Sequence, residues 1–248
     1  MTPTKPPSPP TPPSNTLPFN APTAGERKDQ RRAVRPRDAA TLILYRGEGS
    51  GLELLMGRRH EGHRFMPNQW VFPGGRLDRA DLHTPATPLR AEVAAPLGRA
   101  APPRRAHGLG VAAIRETFEE TGLMIGVADA RAARLAGGPL AAFAEAGLVP
   151  DLAALDYVAR AITPPYRPMR FHARFFLAPG AAARGEARPS PELTEVAWVP
   201  LAEAARLDLP RITGVVLDVI GRRLAGEDRR IPAFSHRYGK ALVEHDDA

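Results

Sequence analysis

Three glutamates fall within one short segment of the chain, RETFEETG at residues 115–122. On a helix that turns by about 100° per residue, Glu116, Glu119 and Glu120 lie within an arc of about 100°, so they share one face. Like charges at these spacings repel by roughly 0.2–0.5 kcal/mol per pair unless a cation compensates them. Carboxylate oxygens suit Mg²⁺ or Mn²⁺. The segment therefore predicts a divalent-cation site, with an ordinary solvated helix face as the alternative.

The other side of the same helix is apolar. Val111, Ile114 and Phe118 fall within about 60° of one another, opposite the glutamates, which gives a stripe that can pack against a sheet. Gly122 stands where a left-handed C-terminal cap is needed. We therefore expect a helix over residues 111–121 that is anchored on one side and acidic on the other.

A pair of glycines follows a short apolar strand earlier in the chain. Residues 70–72 read as this strand, and Pro73, Gly74 and Gly75 come directly after it. Backbone can approach a ligand closely at glycine because glycine has no Cβ. The other glycine-rich run, at residues 47–51, lies between two predicted strands and lacks a following Lys-Ser/Thr pair. It therefore does not predict a phosphate-binding loop.

Strands and helices are mixed in an irregular order along the chain. This order predicts an α+β fold in which a mixed sheet packs between helices, not a doubly wound parallel fold. Residues 83–108 show no clear periodicity apart from a possible short helix at 89–95, so we expect an inserted loop over about 82–108. The other predicted strands span 41–45, 52–56, 155–162, 170–177 and 195–199, and the other predicted helices span 139–146, 201–207 and 212–225.

The first 22 residues contain nine prolines and little that could build a core. Residues 1–38 are therefore expected to form a disordered tail, and residues 39–248 the folded domain. The tail carries seven basic and three acidic residues, which accounts for four of the seven net positive charges of the chain. Most of the remaining arginines read as a composition bias spread over a solvated surface.

The composition excludes several classes of protein. The chain has no cysteine, which rules out a disulfide framework, a thiol nucleophile and a cysteine-built zinc site. It has no apolar run of the roughly 18–20 residues that a membrane-spanning helix needs, and no secretory signal. We therefore expect a cytoplasmic protein without a membrane partner. The sequence also lacks a Gly-x-Ser-x-Gly motif, which argues against a serine hydrolase of that type.

Together, the acidic helix and the glycine pair resemble the signature of the Nudix hydrolase superfamily. Arg115-Glu-x-x-Glu-Glu-x-Gly-Leu123 is similar to the second half of its motif, and Phe72-Pro-Gly-Gly75 is similar to the strand and loop that precede it. The chain departs from the pattern twice: Asp81 stands in place of a glutamate, and about 26 residues are inserted before Arg115. The resemblance implies an α/β/α sandwich and a metal-dependent hydrolase that cuts a diphosphate bond.

A narrower resemblance is to the branch with long insertions that contains the peroxisomal coenzyme-A diphosphatases. Leu54-Leu-Met-Gly-Arg58, followed by Arg64 before the Phe-Pro-Gly-Gly sequence, is similar to the coenzyme-A motif of such enzymes. The match is incomplete. Met56, Arg59 and Asn68 stand where threonine, a small residue and glycine are usual.

The resemblance also implies roles for the acidic helix. Glu116, Glu119 and Glu120, together with the carbonyl oxygen of Gly74, would hold Mg²⁺ or Mn²⁺. Such ions orient the diphosphate and activate the attacking water. Arg115 would pair with a carboxylate four residues on, Glu119, and so support catalysis by holding it in position.

The residues that act on the substrate are less narrowly defined. The candidate general bases are Glu116, Glu120 and two carboxylates from a later part of the chain, Glu192 and Glu195. Arginine suits phosphate because its planar fork offers several donors, although surface arginines with no such role are the alternative. The expected substrate contacts are Arg58, Arg64, Phe72 and Gly75.

Two functions from different classes fit these features. One is a diphosphatase of a small nucleotide, with coenzyme A or an acyl-coenzyme A as the leading substrate and ADP-ribose or another nucleoside diphosphate derivative as the alternative. The other is a non-catalytic module of the same fold that senses a nucleotide or attaches weakly to nucleic acid through its basic tail. The tail lacks the interleaved aromatic residues of single-strand binders, so we do not expect a nucleic acid partner. No pattern marks an oligomer interface.

Overall fold

A computed structural model of the chain describes residues 34–62, 66–237 and 240–247. The strands of these residues are β1 (Arg37–Arg46), β2 (Glu53–Arg59), β3 (Trp70–Val71), β4 (Gly74–Arg76), β5 (Met124–Ala128), β6 (Leu148–Pro150), β7 (Asp156–Ile162), β8 (Phe171–Pro179), β9 (Ala183–Arg184), β10 (Leu193–Pro200), β11 (Pro232–Arg237) and β12 (Lys240–His245). Their α-helices are α1 (Ala91–Ala100), α2 (Pro103–Thr121), α3 (Ala141–Glu145), α4 (Leu201–Ala204) and α5 (Arg211–Leu224). Within these ranges, no helix is both long enough and apolar enough to cross a membrane.

Most of the strands join one mixed sheet. In the described residues its order is β10-β2-β1-β8-β7-β11-β12, with β3 beside β2 and β4 beside β1. β1 runs parallel to β8 and β7 runs parallel to β11, whereas the remaining neighbours are antiparallel. A smaller sheet has the order β6-β5-β9. The mixture of parallel and antiparallel neighbours is the mixed sheet that the order of elements predicts.

The two faces of the large sheet carry separate hydrophobic cores. Successive residues of β1 alternate between them: Leu42 and Leu44 belong to the core under α2, and Ile43 belongs to the core under α5. Val111 and Ile114, from the predicted apolar stripe of α2, are fully buried. A sheet covered by helices on both faces confirms the predicted α/β/α sandwich.

The helix α2 is longer than predicted but ends where expected. It begins at Pro103, because proline is well tolerated in the first turn, where its missing N–H would have no partner. Gly122 adopts a left-handed conformation with φ of 77°, and its N–H donates to the carbonyl oxygen of Phe118. Phe118 is half-buried and packs edge-on against Phe143, with ring centroids 5.4 Å apart. The predicted cap is therefore correct, whereas the predicted start was eight residues too late.

The prediction of a loop for the insertion was wrong. Helix α1 and the first turns of α2 occupy much of residues 82–108, and Val93 and Leu97 of α1 are buried in the core on the α2 side of the sheet. The segment is rich in alanine, which favours helices strongly but contributes little to a hydrophobic periodicity. The short helix predicted at 89–95 exists as α1, displaced toward the C-terminus.

The ends of the domain also differ from the prediction. β1 begins at Arg37, inside the expected tail, whereas residues 1–33 lie outside the described residues. After α5, the last element that the sequence predicts, β11 and β12 form a hairpin that extends the sheet. Asp246 ties this hairpin to β7, since its carboxylate accepts hydrogen bonds from Tyr157 Oη at 2.6 Å and from Arg160 Nε at 2.9 Å.

Candidate active site

The last turns of α2 meet the glycine pair at β4. The carboxylate of Glu120 is buried and accepts a hydrogen bond from the backbone N–H of Gly74 at 2.9 Å. Gly75 lies directly against Glu116, and a Cβ on Gly75 would overlap the Glu116 carboxylate. β4 itself pairs with β1, the strand on which α2 packs. The fold thus brings together the two motifs, although more than 30 residues separate them in the sequence.

Arg115 is the centre of the carboxylate cluster. Its side chain is 6% exposed, and its Nη1 donates to Glu116 at 2.8 Å and to Glu119 at 3.0 Å. Its Nε and Nη2 donate to the two carboxylate oxygens of Asp81 at 2.9 and 3.0 Å, and Nη2 also donates to the carbonyl oxygen of Arg76. One guanidinium therefore fixes the positions of three carboxylates.

Asp81 gives a physical account of the departure from the family pattern. It lies in a short 3-10 turn, is almost fully buried, and accepts a hydrogen bond from the N–H of Asp78 at 2.8 Å. Its two oxygens face Arg115 in a bidentate pair, which is the strongest geometry for an arginine and a carboxylate. The shorter aspartate therefore still reaches the arginine, and its role is to position Arg115 and through it Glu116 and Glu119.

Burial opposes the ionisation of Glu120 and Glu116. Burial raises the pKa of Glu120 to about 8, although the N–H of Gly74 and the charge of Arg59 act in the opposite direction, and the charges of Glu116 and Glu192 raise it further. Burial also raises the pKa of Glu116, against the effect of Arg115. A divalent cation beside these groups would favour their charged forms.

The donor set fits Mg²⁺ or Mn²⁺, because it consists of hard carboxylate and carbonyl oxygens. In the part of the chain that the structure describes, no three His, Asp or Glu side chains already converge as a set of metal ligands. Glu116 and Glu119 each accept a hydrogen bond from Arg115, and Glu120 accepts one from Gly74. Protein donors therefore hold each of the three glutamates in place.

The structure distributes the other candidate residues unevenly. Arg58 forms an ion pair with Glu195 at 2.9 Å, so these two candidates engage each other. Phe72 is buried in the core on the α5 side of the sheet, so its ring contributes packing. Glu192 is close enough to raise the pKa of both Glu116 and Glu120. Arg64 lies outside the described residues.

Arg59, which was not among the predicted site residues, lies close enough to the acidic helix to act on Glu120. Its charge lowers the pKa of Glu120. The signal was present in β2, because residues alternate between the two faces of a strand. Leu55 faces the core under α2, so Arg59, four residues later, faces the same side and Arg58 faces the opposite one.

Replacing Gly75 by alanine is expected to lower kcat/KM by roughly 100-fold, because the new Cβ overlaps the Glu116 carboxylate and displacements of about 1 Å can have effects of this size. Gly98→Ala is the matched control. Gly98 lies in α1 with open space around it, so the same change should stabilise the helix by about 0.5–1 kcal/mol and leave kcat/KM unchanged. Equal activity of both variants would contradict the close contact of Gly75 with Glu116.

Several proteins of known structure are similar to this chain. No model of a known protein family matches the chain. A Nudix hydrolase from Alicyclobacillus acidocaldarius shares 32% sequence identity over 77% of this chain and 93% of that chain, with a TM-score of 0.60. The Nudix domain of Shewanella oneidensis NrtR, solved with ADP ribose, shares 14% identity over 82% of this chain and 99% of that chain (TM-score 0.46). An Ap4A hydrolase from C. elegans shares 17% identity over 76% of this chain and 98% of that chain (TM-score 0.41).

The identity, the coverage and the superposition of the Alicyclobacillus acidocaldarius structure are together sufficient for assignment to a family. The two other likenesses are too distant to add to it. The chain therefore belongs to the Nudix hydrolases.

Proposed function

We propose that this Nudix hydrolase cuts a diphosphate bond in a nucleoside diphosphate derivative, with a divalent metal ion held at the end of α2. The main support for this proposal is that Arg115 donates hydrogen bonds to both Glu116 and Glu119, while Glu120 accepts one from the backbone of Gly74. A solvated helix face would not bury Glu120, nor would it place an arginine between its carboxylates. The arrangement supports catalysis above a purely sensing role.

The residues of the cluster divide into metal ligands and a residue that positions them in this proposal. Glu116, Glu119, Glu120 and the carbonyl oxygen of Gly74 would hold Mg²⁺ or Mn²⁺. When bound, such an ion neutralises charge on the phosphates and lowers the pKa of a water ligand. Arg115 keeps the first two glutamates in place. The general base is left among Glu116, Glu120 and Glu192, because Glu195 forms an ion pair with Arg58.

Coenzyme A or an acyl-coenzyme A is the leading substrate. The segment that resembles the coenzyme-A motif forms most of β2, which ends at Arg59, on the face of the sheet that α2 covers. The guanidinium of Arg59 at this position can pair with a substrate phosphate, which supports a substrate with several phosphates. ADP-ribose and other nucleoside diphosphate derivatives are the alternative, since they contain the same diphosphate group.

The test is a substrate panel with product identification. Purified protein with Mg²⁺ or Mn²⁺ is incubated with coenzyme A, an acyl-coenzyme A, ADP-ribose, dinucleoside polyphosphates and nicotinamide dinucleotides, and products are identified by mass spectrometry. We expect release of phosphopantetheine or its acyl form together with adenosine 3′,5′-bisphosphate, and loss of turnover when EDTA removes the metal.

Other outcomes of the panel decide between the alternatives. Cleavage of ADP-ribose without cleavage of coenzyme A would replace the leading substrate but retain the diphosphatase. Binding of a nucleotide without turnover of any compound would support the sensing module instead. Gel-shift measurements on the full chain and on a form that starts at Val34 test whether the tail attaches to nucleic acid. If neither form binds, that alternative is excluded.

A further inference from the structure

The strand β12 forms one edge of the large sheet. It pairs with β11 in a regular antiparallel register from Arg237↔Lys240 to Pro232↔His245, and in the described residues no strand lies on its other side. An edge strand presents unpaired backbone N–H and C=O groups that can pair with another strand. The edge is also firmly placed, because Asp246, directly after β12, is held by Tyr157 and Arg160 of β7.

This edge lacks several of the features that usually prevent pairing. Proteins protect their edges with proline, bulges, short strands, a covering loop or charged side chains, and of these β12 has only the charges of Lys240 and Glu244. β12 is six residues long and contains no proline, and its pairing with β11 has no register shift. Leu242 and Val243 are 36% and 44% exposed, and they are two of the four exposed large apolar side chains in the described part of the chain.

The charges on β12 are self-complementary. Successive side chains of a strand point to opposite faces, so Lys240, Leu242 and Glu244 share one face of the sheet. Within the described residues, neither Lys240 nor Glu244 takes part in an ion pair. The two opposite charges stand at equal distances along the strand on either side of Leu242.

A second copy of β12 can pair with this charge pattern in one antiparallel register. A two-fold axis perpendicular to the sheet maps each face of the sheet onto itself, so antiparallel pairing of two identical strands must be centred on a residue. When the axis passes beside Leu242, the two copies of Leu242 lie opposite each other. Lys240 of each copy then lies opposite Glu244 of the other, on the same face. Opposite charges and apolar pairs at such positions stabilise a sheet by roughly 0.2–1 kcal/mol each.

We propose that β12 pairs antiparallel with β12 of a second copy of this chain, centred on Leu242, and so joins the two sheets into one. The register brings two Lys240–Glu244 ion pairs and one Leu242–Leu242 contact to the interface. A six-residue strand pair covers less surface than the roughly 1,200–2,000 Å² of a standard stable interface. The dimer is therefore reversible, with a dissociation constant in the micromolar range.

The test measures mass against concentration in the full chain. Light scattering or sedimentation over roughly 1–500 µM should show a monomer of 26.7 kDa that passes to twice this mass. Lys240→Glu and Glu244→Lys each place like charges opposite one another at two symmetric positions, so each should weaken association at least about tenfold. The double variant with both changes restores opposite charges and should recover the wild-type association.

Two further measurements complete the test. Leu242→Lys should abolish association, since the two introduced lysines would lie directly opposite each other at the axis. The unfolding temperature of each variant checks that the exposed changes leave the fold intact. A wild type that is monomeric over the whole range overturns the proposal, as does a dimer that the single charge changes leave unaffected. If both single changes weaken the dimer but the double variant does not restore it, the proposed register centred on Leu242 is wrong.

Discussion

Glu120→Gln is expected to lower kcat/KM by more than about 100-fold. Loss of a residue that only supports a metal ligand typically costs 10–100-fold in activity or metal affinity, so loss of a proposed ligand should cost more. Glutamine has nearly the same shape and can still accept the hydrogen bond from Gly74 through its amide oxygen. The substitution therefore removes the charge while retaining the packing, and steady-state kinetics with saturating Mg²⁺ or Mn²⁺ measures the result.

The same substitution should not destabilise the metal-free protein. Burial raises the pKa of Glu120 to about 8 in the folded chain, so the folded state holds a proton there that the unfolded state releases above about pH 4.5. The stability that this proton contributes is complete below pH 4.5 and is lost as the pH rises through 8. Glutamine is neutral throughout. In EDTA at pH 8, Glu120→Gln should thus be more stable than wild type by up to a few kcal/mol, since one pKa unit corresponds to about 1.4 kcal/mol.

The opposite signs of these two effects make the experiment informative. Urea unfolding at pH 5 and pH 8 should show that the stability difference between Glu120→Gln and wild type grows with pH. Glu145→Gln, which removes an exposed carboxylate from α3, is the control and should change neither activity nor stability. A Glu120→Gln protein that keeps full activity would exclude Glu120 as a metal ligand or base, whatever its stability.

The sequence predicted the acidic helix and its cap because local patterns encode them. The spacing of Glu116, Glu119 and Glu120 and the cap at Gly122 follow from the geometry of one helix, and the helix confirms the cap. The glycines at 74 and 75 were identified because close backbone approach requires them. The contact between Gly75 and Glu116 depends on how β4 and α2 pack, which helix periodicity does not specify.

Other features could not be predicted because they depend on pairs far apart in the chain. Asp81 was seen only as a departure from a pattern, and its bidentate pair with Arg115 becomes visible when the 3-10 turn lies against α2. Strand β12 has little alternation of apolar and polar residues, and the hairpin that contains it joins the sheet through the pairing of β11 with β7. By contrast, the nearness of Arg59 to Glu120 could have been predicted, because residues alternate between the two faces of β2.

Arg115→Met is expected to have the largest effect on stability of any single change in the site. The substitution removes the donors that Asp81, Glu116 and Glu119 share, and it leaves the almost fully buried Asp81 without a countercharge. Breaking a buried ion pair from one side typically costs 3–5 kcal/mol. For a chain of this size, the unfolding temperature should fall by roughly 10 °C. Activity should fall with it, because Glu116 and Glu119 lose the group that positions them.

A second change separates stability from positioning. In the double variant Arg115→Met with Asp81→Asn, position 81 no longer carries a buried charge, and it keeps an oxygen that can accept the N–H of Asp78. Removing both charges of a buried pair is often nearly neutral. The double variant should therefore regain most of the lost unfolding temperature but none of the lost kcat/KM. If activity returned together with stability, Arg115 would serve only to hold Asp81 in the fold, and Glu116 and Glu119 would need no arginine to be placed for catalysis.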